Sequence, residues 1–306
     1  MRIRRSTDGR CRVGLKDLLI AFLATTTLLL SLSTEEQSPV LLAQPNNLHS
    51  GSTESDGWVN IQVFQGNPSI LDKRIGRAKW HSQVRQDQLV ADLFRHRKGG
   101  YFIDLAAHDA VHFSNTLALE RQLDWSGLCI EANPEYWRDL TFRRCQVVGA
   151  AIGKSRMERV KFSLNEEFGG IIGNGFDNKE KEVHPFKKRS GELELFTVPL
   201  PEVLERNHVP KVIDYLSLDV EGAEMFIMDH FPFEQYTIRV LTVERPKKAL
   251  RALLEVNGYQ LLKIVTKWGE TLWIHRTAVD SLDIDAMKKH SSFFPAQDLA
   301  ATIPEE

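Results

Sequence analysis

Two predicted strands of this chain each end on an acidic residue, and a helix-sized segment lies between them. Residues 101–103 are followed by Asp104, and the apolar residues 128–130 are followed by Glu131. The segment 114–123 has the length and apolar content of a helix. A strand, a small-residue loop, a helix and a strand closed by an acid form half of a nucleoside-binding βαβ unit. Glu131 is placed to accept hydrogen bonds from a ribose diol, so we predict a nucleoside-bearing cofactor.

The loop after the first of these strands narrows the choice of cofactor. Dinucleotide enzymes place the glycines of G-x-G-x-x-G there, because a pyrophosphate must approach bare backbone. Residues 104–110 read DLAAHDA and contain none of these glycines, which argues against NAD or FAD and against a dehydrogenase. A small-residue loop that begins with an acid suits S-adenosylmethionine, because Asp104 can meet its positively charged methionine end.

Strands and helices alternate along the rest of the folded region. We predict further strands at 145–150, 160–164, 212–218 and 237–243, helices at 134–142, 222–228 and 246–256, a helix capped by Ser82, and a hairpin at 259–265 and 271–275. This order predicts an α/β fold with a Rossmann-like, doubly wound and mostly parallel sheet that ends in an antiparallel hairpin. The Gly-rich and then charged stretch at 168–189 lacks periodicity and predicts a lid or a mobile insert.

The N-terminal part has a different composition. Six Lys and Arg residues at positions 2–16 precede an apolar run at 18–33, which is slightly shorter than the roughly 20 residues of a comfortable membrane span. A basic flank followed by an apolar run predicts a signal anchor or a cleaved signal peptide, and an organellar targeting peptide is the alternative. We expect an anchor with a cytoplasmic N-terminus and a domain in the lumen of the endoplasmic reticulum or Golgi, with a secreted or organellar protein as the alternative.

These features divide the chain into five parts. We predict a basic cytoplasmic flank at 1–17, the signal anchor or signal peptide at 18–33, a stalk at 34–78, the folded domain at 79–276 and a peripheral tail at 277–306. The formal net charge of −2 is too balanced to indicate nucleic acid as a partner. Cys129 and Cys145 lie on or beside consecutive strands, where a disulfide is conceivable, but free buried thiols are the expected state.

A second acidic cluster follows the strand at 212–218. Asp219 closes that strand, at the edge where doubly wound sheets bind ligands, and is a candidate general base for an acceptor hydroxyl. Glu221 and Glu224 fall in the predicted first turn of a helix, where carboxylates meet the helix dipole, and this structural role is the stronger one for Glu224. Because no histidine lies nearby in sequence, we predict no metal site. His108, in the loop after Asp104, is the second catalytic candidate.

Several motifs occur in the order of a known family. FIDLAAHD at 102–109, SNT at 114–116, WSGLCIEANP at 125–134 and LSLDVEGAE at 216–224 resemble the FkbM-type methyltransferases, over roughly residues 80–275. The resemblance implies a class I, S-adenosylmethionine-dependent methyltransferase fold and O-methylation of a hydroxyl on a sugar, a glycoconjugate or a small natural product. The cofactor is then expected to contact six residues, namely Asp104, Ala106, Asn115, Glu131, Asn133 and Ala150.

One departure from the family pattern keeps an alternative open. Ala106 stands where family members usually have glycine, and Ala110 where they often do, and a methyl at Ala106 is tolerable if the local φ is negative. The Ala-rich loop resembles a Star-like branch of the family, whose animal member is a membrane-anchored trafficking factor. The alternative is therefore a non-catalytic, membrane-attached protein that helps protein cargo move, in place of an enzyme with a small-molecule or glycan acceptor.

Overall fold

The computed structural model describes residues 62–64, 68–165, 168–178 and 191–290, and two β-sheets organise these ranges. The predicted anchor and most of the predicted stalk lie outside them. Within the described ranges, no helix is both long enough and apolar enough to cross a membrane. The strands in chain order are β1 (Gln62–Phe64), β2 (Tyr101–Leu105), β3 (Ser126–Glu131), β4 (Gln146–Gly149), β5 (Ala151–Gly153), β6 (Arg159–Ser163), β7 (Gly170–Ile172), β8 (Glu192–Pro199), β9 (Val212–Leu218), β10 (Thr237–Val243), β11 (Tyr259–Ile264) and β12 (Thr271–His275).

The larger sheet has the order β1-β4-β3-β2-β9-β10-β12-β11. Strands β4, β3, β2, β9 and β10 are parallel neighbours. Strand β12 pairs antiparallel with β10, and β11 pairs antiparallel with β12, so the predicted doubly wound sheet and its closing hairpin are confirmed. The chain winds outward from β2 in one direction and from β9 in the other, which makes the gap above these two strands the topological switch point of the sheet.

Apolar side chains on both faces of this sheet explain the near-continuous apolar strands. Ile103 and Leu105 pack into one core, whereas Phe102, which precedes Ile103, packs into the other. Successive side chains of a strand point to opposite faces, so a strand that is buried on both faces needs apolar residues at nearly every position. Polar residues are then tolerated where the strands end, and this places the strand-end acids at the carboxyl edge.

The helices that flank the sheet are α1 (Asp72–Ile75), α2 (Gln86–Leu93), α3 (Leu117–Leu123), α4 (Pro134–Leu140), α5 (Leu200–Arg206), α6 (Glu224–Met228) and α7 (Lys248–Val256). The prediction that Ser82 caps α2 is wrong, because the N-cap residue is Arg85 with a left-handed φ of 68°. Ser82 Oγ instead donates to Asp87 Oδ1 at 2.6 Å and ties the preceding loop to the helix.

A smaller sheet, which the sequence pattern did not predict, has the order β5-β8-β6-β7. Strand β7 is formed by Gly170–Ile172, inside the stretch that was expected to be a lid or a mobile insert. It pairs antiparallel with β6, so this part of the expected insert is a sheet strand. Residues 179–190 of the same stretch lie outside the described ranges.

The segment after β12 packs against the domain over residues 276–290, where a peripheral tail was expected. Two 3₁₀ helices, Arg276–Ser281 and Ile284–Lys289, contribute Ala278 and Met287 to the core on the α2 face of the sheet. The N–H of Asp283 donates to the carbonyl of Leu93 at the end of α2. The folded unit therefore continues past position 276, at least to residue 290.

Cys129 and Cys145 form a disulfide, so the expectation of free thiols is wrong. Cys129 lies in β3 and Cys145 immediately precedes β4, and both are fully buried. Because β3 and β4 are hydrogen-bonded neighbours, the two Cα atoms lie 6.0 Å apart, within the usual range for a disulfide. The bridge therefore joins the middle of β3 to the amino end of β4.

Candidate functional site

A cavity of about 920 Å³ opens at the carboxyl edge of the larger sheet, above the switch point between β2 and β9. Its floor is formed by the residues that follow β2, β3, β9 and β10. The smaller sheet forms a facing wall, with Ile152, Phe162 and Ile171 among the lining residues. The mostly parallel sheet therefore carries its cavity where folds of this type bind ligands.

The structure brings all of the sequence-predicted site residues together around this one cavity. They are Asp104, Ala106, His108, Asn115, Glu131, Asn133, Ala150 and Asp219. They divide into two groups. We call the site residues at or after the carboxyl ends of β2, β3 and β4 the β2–β3 half. The β9–β10 half consists of the charged residues after β9 and β10 together with Asp177 and Glu270, which lie beside them.

Glu131 is the central acid of the β2–β3 half and is held by backbone groups. Its Oε1 accepts from the N–H of Asn133 at 2.7 Å, and its Oε2 accepts from the N–H of His108 at 2.8 Å. Burial raises the pKa of this carboxyl to about 7, although the two N–H groups favour its charged form. Each oxygen keeps a second lone-pair direction, so Glu131 can still accept hydrogen bonds from two neighbouring hydroxyls.

Asp104 is tied into a buried polar network beneath the cavity. Its Oδ2 accepts from Thr116 Oγ1 at 2.5 Å, and that hydroxyl in turn accepts from Arg143 Nη2 at 2.9 Å. Arg143 also pairs with Glu120 at 3.2 Å, and both side chains are completely buried. Burial raises the pKa of Asp104 to about 6, while the charge of Arg143 opposes that rise. Asp104 is therefore anchored by the fold as well as exposed to the cavity.

The two predicted asparagines reach the cavity through different anchors. Asn115 Nδ2 donates to Ser217 Oγ at 2.9 Å, which joins the start of α3 to the end of β9. Asn133 caps α4 through Oδ1, which accepts from the N–H of Glu135. Asn133 is 2 % exposed, and its Nδ2 has no hydrogen-bond partner among the described residues. A buried donor of this kind in a cavity wall marks a position where a ligand acceptor atom is expected.

Left-handed backbone marks the loop between β2 and α3. Ala106 has a φ of 63°, so the condition of a negative φ, under which its methyl group was expected to be tolerable, is not met. His108 and Phe113 in the same loop also have positive φ values, and all three residues line the cavity. Such conformations cost about 1 kcal/mol or more for residues other than glycine, and they cluster at ligand sites. The ring of His108 lies 4.2 Å from that of Tyr136, centroid to centroid.

The β9–β10 half is a cluster of carboxylates. One oxygen from each of Asp219, Glu221 and Glu244 lies within 4.8 Å of the others. Burial raises the pKa of Asp219 well above its usual value, and the negative charges of Glu244, Glu270 and Glu221 raise it further. Asp219 also shares a hydrogen bond with Glu244. Glu270, between β11 and β12, is buried beside them, and its pKa is raised to about 8 by burial and by Glu244.

Arg245 supplies positive charge to this cluster. Its Nη2 lies 2.8 Å from Asp177, 2.9 Å from Glu244 and 3.3 Å from Glu221. Glu221 lies outside helix α6 with a φ of 53°, so the capping role expected for it is wrong. Glu224 has the structural role that was expected for it. Its Oε1 accepts hydrogen bonds from the backbone N–H groups of Val220 and Gly222, just before helix α6.

Sequence reasoning missed three charged residues of the β9–β10 half, namely Glu244, Arg245 and Glu270. A signal was present for Glu244, because it directly follows the predicted strand 237–243 just as Asp219 follows 212–218. No comparable signal marks Arg245 or Glu270, since their role depends on which strands become neighbours. Arg143 was missed for the same reason.

The mostly parallel sheet, its antiparallel ending and its acid-lined cavity define a class I methyltransferase fold. A family model described as "Methyltransferase FkbM domain" matches residues 104–261, just over half of the 306-residue chain. The chain therefore belongs to the FkbM methyltransferase family, as its motifs indicated. This membership implies a methyl donor.

Two solved structures of methyltransferases match this chain at low sequence identity and with low TM-scores. The "METTL16 MTase domain" is 11% identical with a TM-score of 0.38, and the match covers 89% of this chain and 86% of that one. Precorrin-6y C5,15-methyltransferase from Geobacter metallireducens GS-15 is 13% identical with a TM-score of 0.34, over 66% of this chain and 93% of that one. A search among curated proteins finds no significant match.

Proposed function

We propose that this protein is an S-adenosylmethionine-dependent O-methyltransferase that acts on a hydroxyl of a sugar, a glycoconjugate or a small natural product. The observation that carries the proposal is the division of one cavity into two halves with different chemistry. The β2–β3 half offers a backbone-held carboxylate and a buried amide donor, which suit an adenosine. The β9–β10 half offers a carboxyl with a raised pKa, which suits proton transfer.

The hydrogen bonds within the β2–β3 half support the binding of S-adenosylmethionine there, because they leave an acceptor and a donor available to a ligand. Glu131 has remaining acceptor capacity for a ribose diol, and the buried Nδ2 of Asn133 lacks an acceptor among the described residues. Asp104 offers negative charge toward the methionine end, and Tyr136 offers an aromatic surface. S-adenosylmethionine, when bound, supplies an electrophilic methyl group on a sulfonium.

Asp219 is the group that we assign to the acceptor hydroxyl. In its ionised form the Asp219 carboxylate can accept the proton that the acceptor hydroxyl loses on methylation. Bound S-adenosylmethionine would supply the methyl group, and its sulfur would keep the electron pair of the broken carbon–sulfur bond. The raised pKa of Asp219 makes its ionised form a stronger proton acceptor than an ordinary aspartate. His108 lies on the β2–β3 side of the same cavity, and we assign it a secondary role in positioning the reacting groups through the loop that bonds Glu131.

Calorimetric titration with S-adenosylmethionine tests the cofactor half of the proposal. We expect one binding site, and we expect Glu131→Ala to weaken binding about 100-fold because it removes charge-assisted hydrogen bonds worth roughly 1.5–3 kcal/mol each. Glu234→Ala is the matched control, since Glu234 is an exposed glutamate on another surface and should leave binding unchanged. A well-folded wild type that binds no S-adenosylmethionine would contradict the proposal and favour the non-catalytic alternative.

Methyl transfer tests the other half. The purified protein is incubated with methyl-labelled S-adenosylmethionine and a panel of neutral glycosides, uronic acids and phenols, and the label is followed into product. For any acceptor found, Asp219→Asn is expected to lower kcat by at least 100-fold while cofactor binding is kept. Equal loss in both measurements would show that Asp219 serves the fold and not the reaction.

We further propose that the folded domain lies in the lumen of the secretory pathway. The disulfide between Cys129 and Cys145 supports this, because such bonds persist mainly in oxidising compartments. The basic flank and apolar run at the N-terminus support a membrane attachment. Protease protection of the domain in intact microsomes tests the proposal, and digestion without detergent would contradict it.

A further inference from the structure

The β9–β10 half contains several carboxyl groups close together, and the guanidinium of Arg245 is the positive charge that balances them. Asp219, Glu221 and Glu244 bring one oxygen each to within 4.8 Å of one another, a spacing that could hold a divalent cation. Asp177 and Glu270 add two further carboxyls from the loop after β7 and the turn between β11 and β12. Carboxylates this close in a partly closed cavity repel one another strongly unless a cation or a proton lies between them.

Arg245 already supplies positive charge to two of the three carboxylates that would hold such a cation. The single atom Nη2 makes ion pairs with Glu221 and Glu244, two of the three carboxylates that could bind a metal, and with Asp177. A metal ion would need its oxygens at roughly 2.0–2.6 Å, so it would compete directly with this nitrogen.

The backbone keeps Arg245 in place. Its N–H donates to the carbonyl of Gly269 at 3.1 Å, and its φ is 41°. Arg245 is the second residue after β10 and precedes Pro246, so the guanidinium starts from a fixed point at the carboxyl edge.

We propose that Arg245 is the resident cation of the β9–β10 half, that it takes the place of a divalent metal there, and that it positions Glu221 and Glu244 around Asp219. The assignment of this half to the acceptor rests on the proposed function, but the charge arrangement does not. Methyl transfer in this protein then needs no added divalent cation, and an acceptor meets a preformed cluster of carboxyls and one guanidinium.

Manganese binding tests the proposal without cofactor or acceptor, so its failure is distinct from a failure of the proposed function. MnCl₂ is titrated into the wild type and Arg245→Asn, a side chain that tolerates left-handed backbone and offers an oxygen ligand. We expect the Arg245→Asn variant to bind one Mn²⁺ at least tenfold more tightly than the wild type, and Glu244→Gln in that background to abolish the gain. Arg245→Lys keeps the charge and should behave as the wild type.

Arg239→Asn is the matched control, because Arg239 lies in β10, the strand that precedes Arg245, but pairs with Asp214, outside the carboxylate cluster. It should not change manganese binding. A wild type that binds Mn²⁺ as tightly as Arg245→Asn would overturn the proposal, as would a folded Arg245→Asn protein with no gain. If Arg245→Asn does not fold, the wild type decides: a rise of its unfolding temperature with Mn²⁺ that Glu244→Gln removes overturns the proposal, and no rise supports it.

Discussion

The two halves of the cavity both place acids at the ends of parallel strands, but they stabilise those acids in different ways. In the β2–β3 half, Glu131 is held by the N–H groups of two residues close to the same βαβ unit, and Asp104 by a nearby hydroxyl. In the β9–β10 half, the partners are charged side chains from separate parts of the chain, with Arg245 at their centre.

The comparison indicates that local backbone structure fixes the β2–β3 half of the site. Backbone N–H groups take their positions from the turn itself, so the β2–β3 half is set once the unit from β2 to α4 has formed. The β9–β10 half exists only when several loops have come together, and its protonation depends on all of them. The first half is therefore suited to a cofactor of constant shape, and the second to variation in the acceptor.

The buried arginine beneath the β2–β3 half gives the largest expected effect. Arg143→Met should lower the free energy of unfolding by about 3–5 kcal/mol, because it leaves Glu120 as an uncompensated buried charge and removes the donor to Thr116. Chemical denaturation measures this. Arg144→Met is the neighbouring control; its ion pair with Asp124 is largely exposed, and its loss should cost about 1 kcal/mol or less. A loss below 1 kcal/mol for Arg143→Met would show that local backbone alone holds this half.

The pH dependence of stability separates the two halves. Glu131 and Glu270 have folded pKa values of about 7 and about 8, raised above 4.5 mainly by burial. As pH rises, the unfolded chain releases these protons first, so the stability that is full below about pH 4.5 is lost as pH rises toward 8. For Glu131 the shift corresponds to about 3 kcal/mol.

Denaturant unfolding at intervals from pH 5 to pH 8 measures this loss. We expect Glu131→Gln to flatten the curve up to about pH 7 and Glu270→Gln to flatten it over the whole range up to about pH 8, so that only Glu270→Gln changes the slope between pH 7 and pH 8. If the free energy of unfolding rose with pH over this window, the pKa values of these two buried acids would not be raised in the folded protein.

The strained loop of the β2–β3 half gives the smallest expected effect. Ala106→Gly should raise the free energy of unfolding by about 1 kcal/mol, because glycine adopts the φ of 63° without the steric cost that alanine bears. A shift of about 2–4 °C in the unfolding temperature is then expected for a domain of this size. Ala110→Gly is the control, since Ala110 has no left-handed φ and should lose stability. If Ala106→Gly also tightened cofactor binding, the methyl group would be an obstacle in the cavity.

Much of the fold was predictable because the signals are local. The apolar strands, the acids that close them and the small-residue loop after Asp104 lie within short windows, and they indicated the mostly parallel sheet and the position of Glu131. The smaller sheet was not predictable, since β5 and β7 have three residues each and only one glycine and two isoleucines form β7. The disulfide was not predictable either, because the spacing of Cys129 and Cys145 allowed both states.

Local sequence signals were therefore enough to identify the strand-end acids, the family and the βαβ unit that forms the β2–β3 half. Hydrophobic periodicity and turn chemistry act over a few residues, and they specify these features wherever the unit is placed. Only the tertiary structure decided the left-handed φ of Ala106 and the charge arrangement around Asp219. Coulomb interactions depend on distances in space, and Asp177, Glu244, Arg245 and Glu270 become neighbours only when the loops of both sheets are packed together.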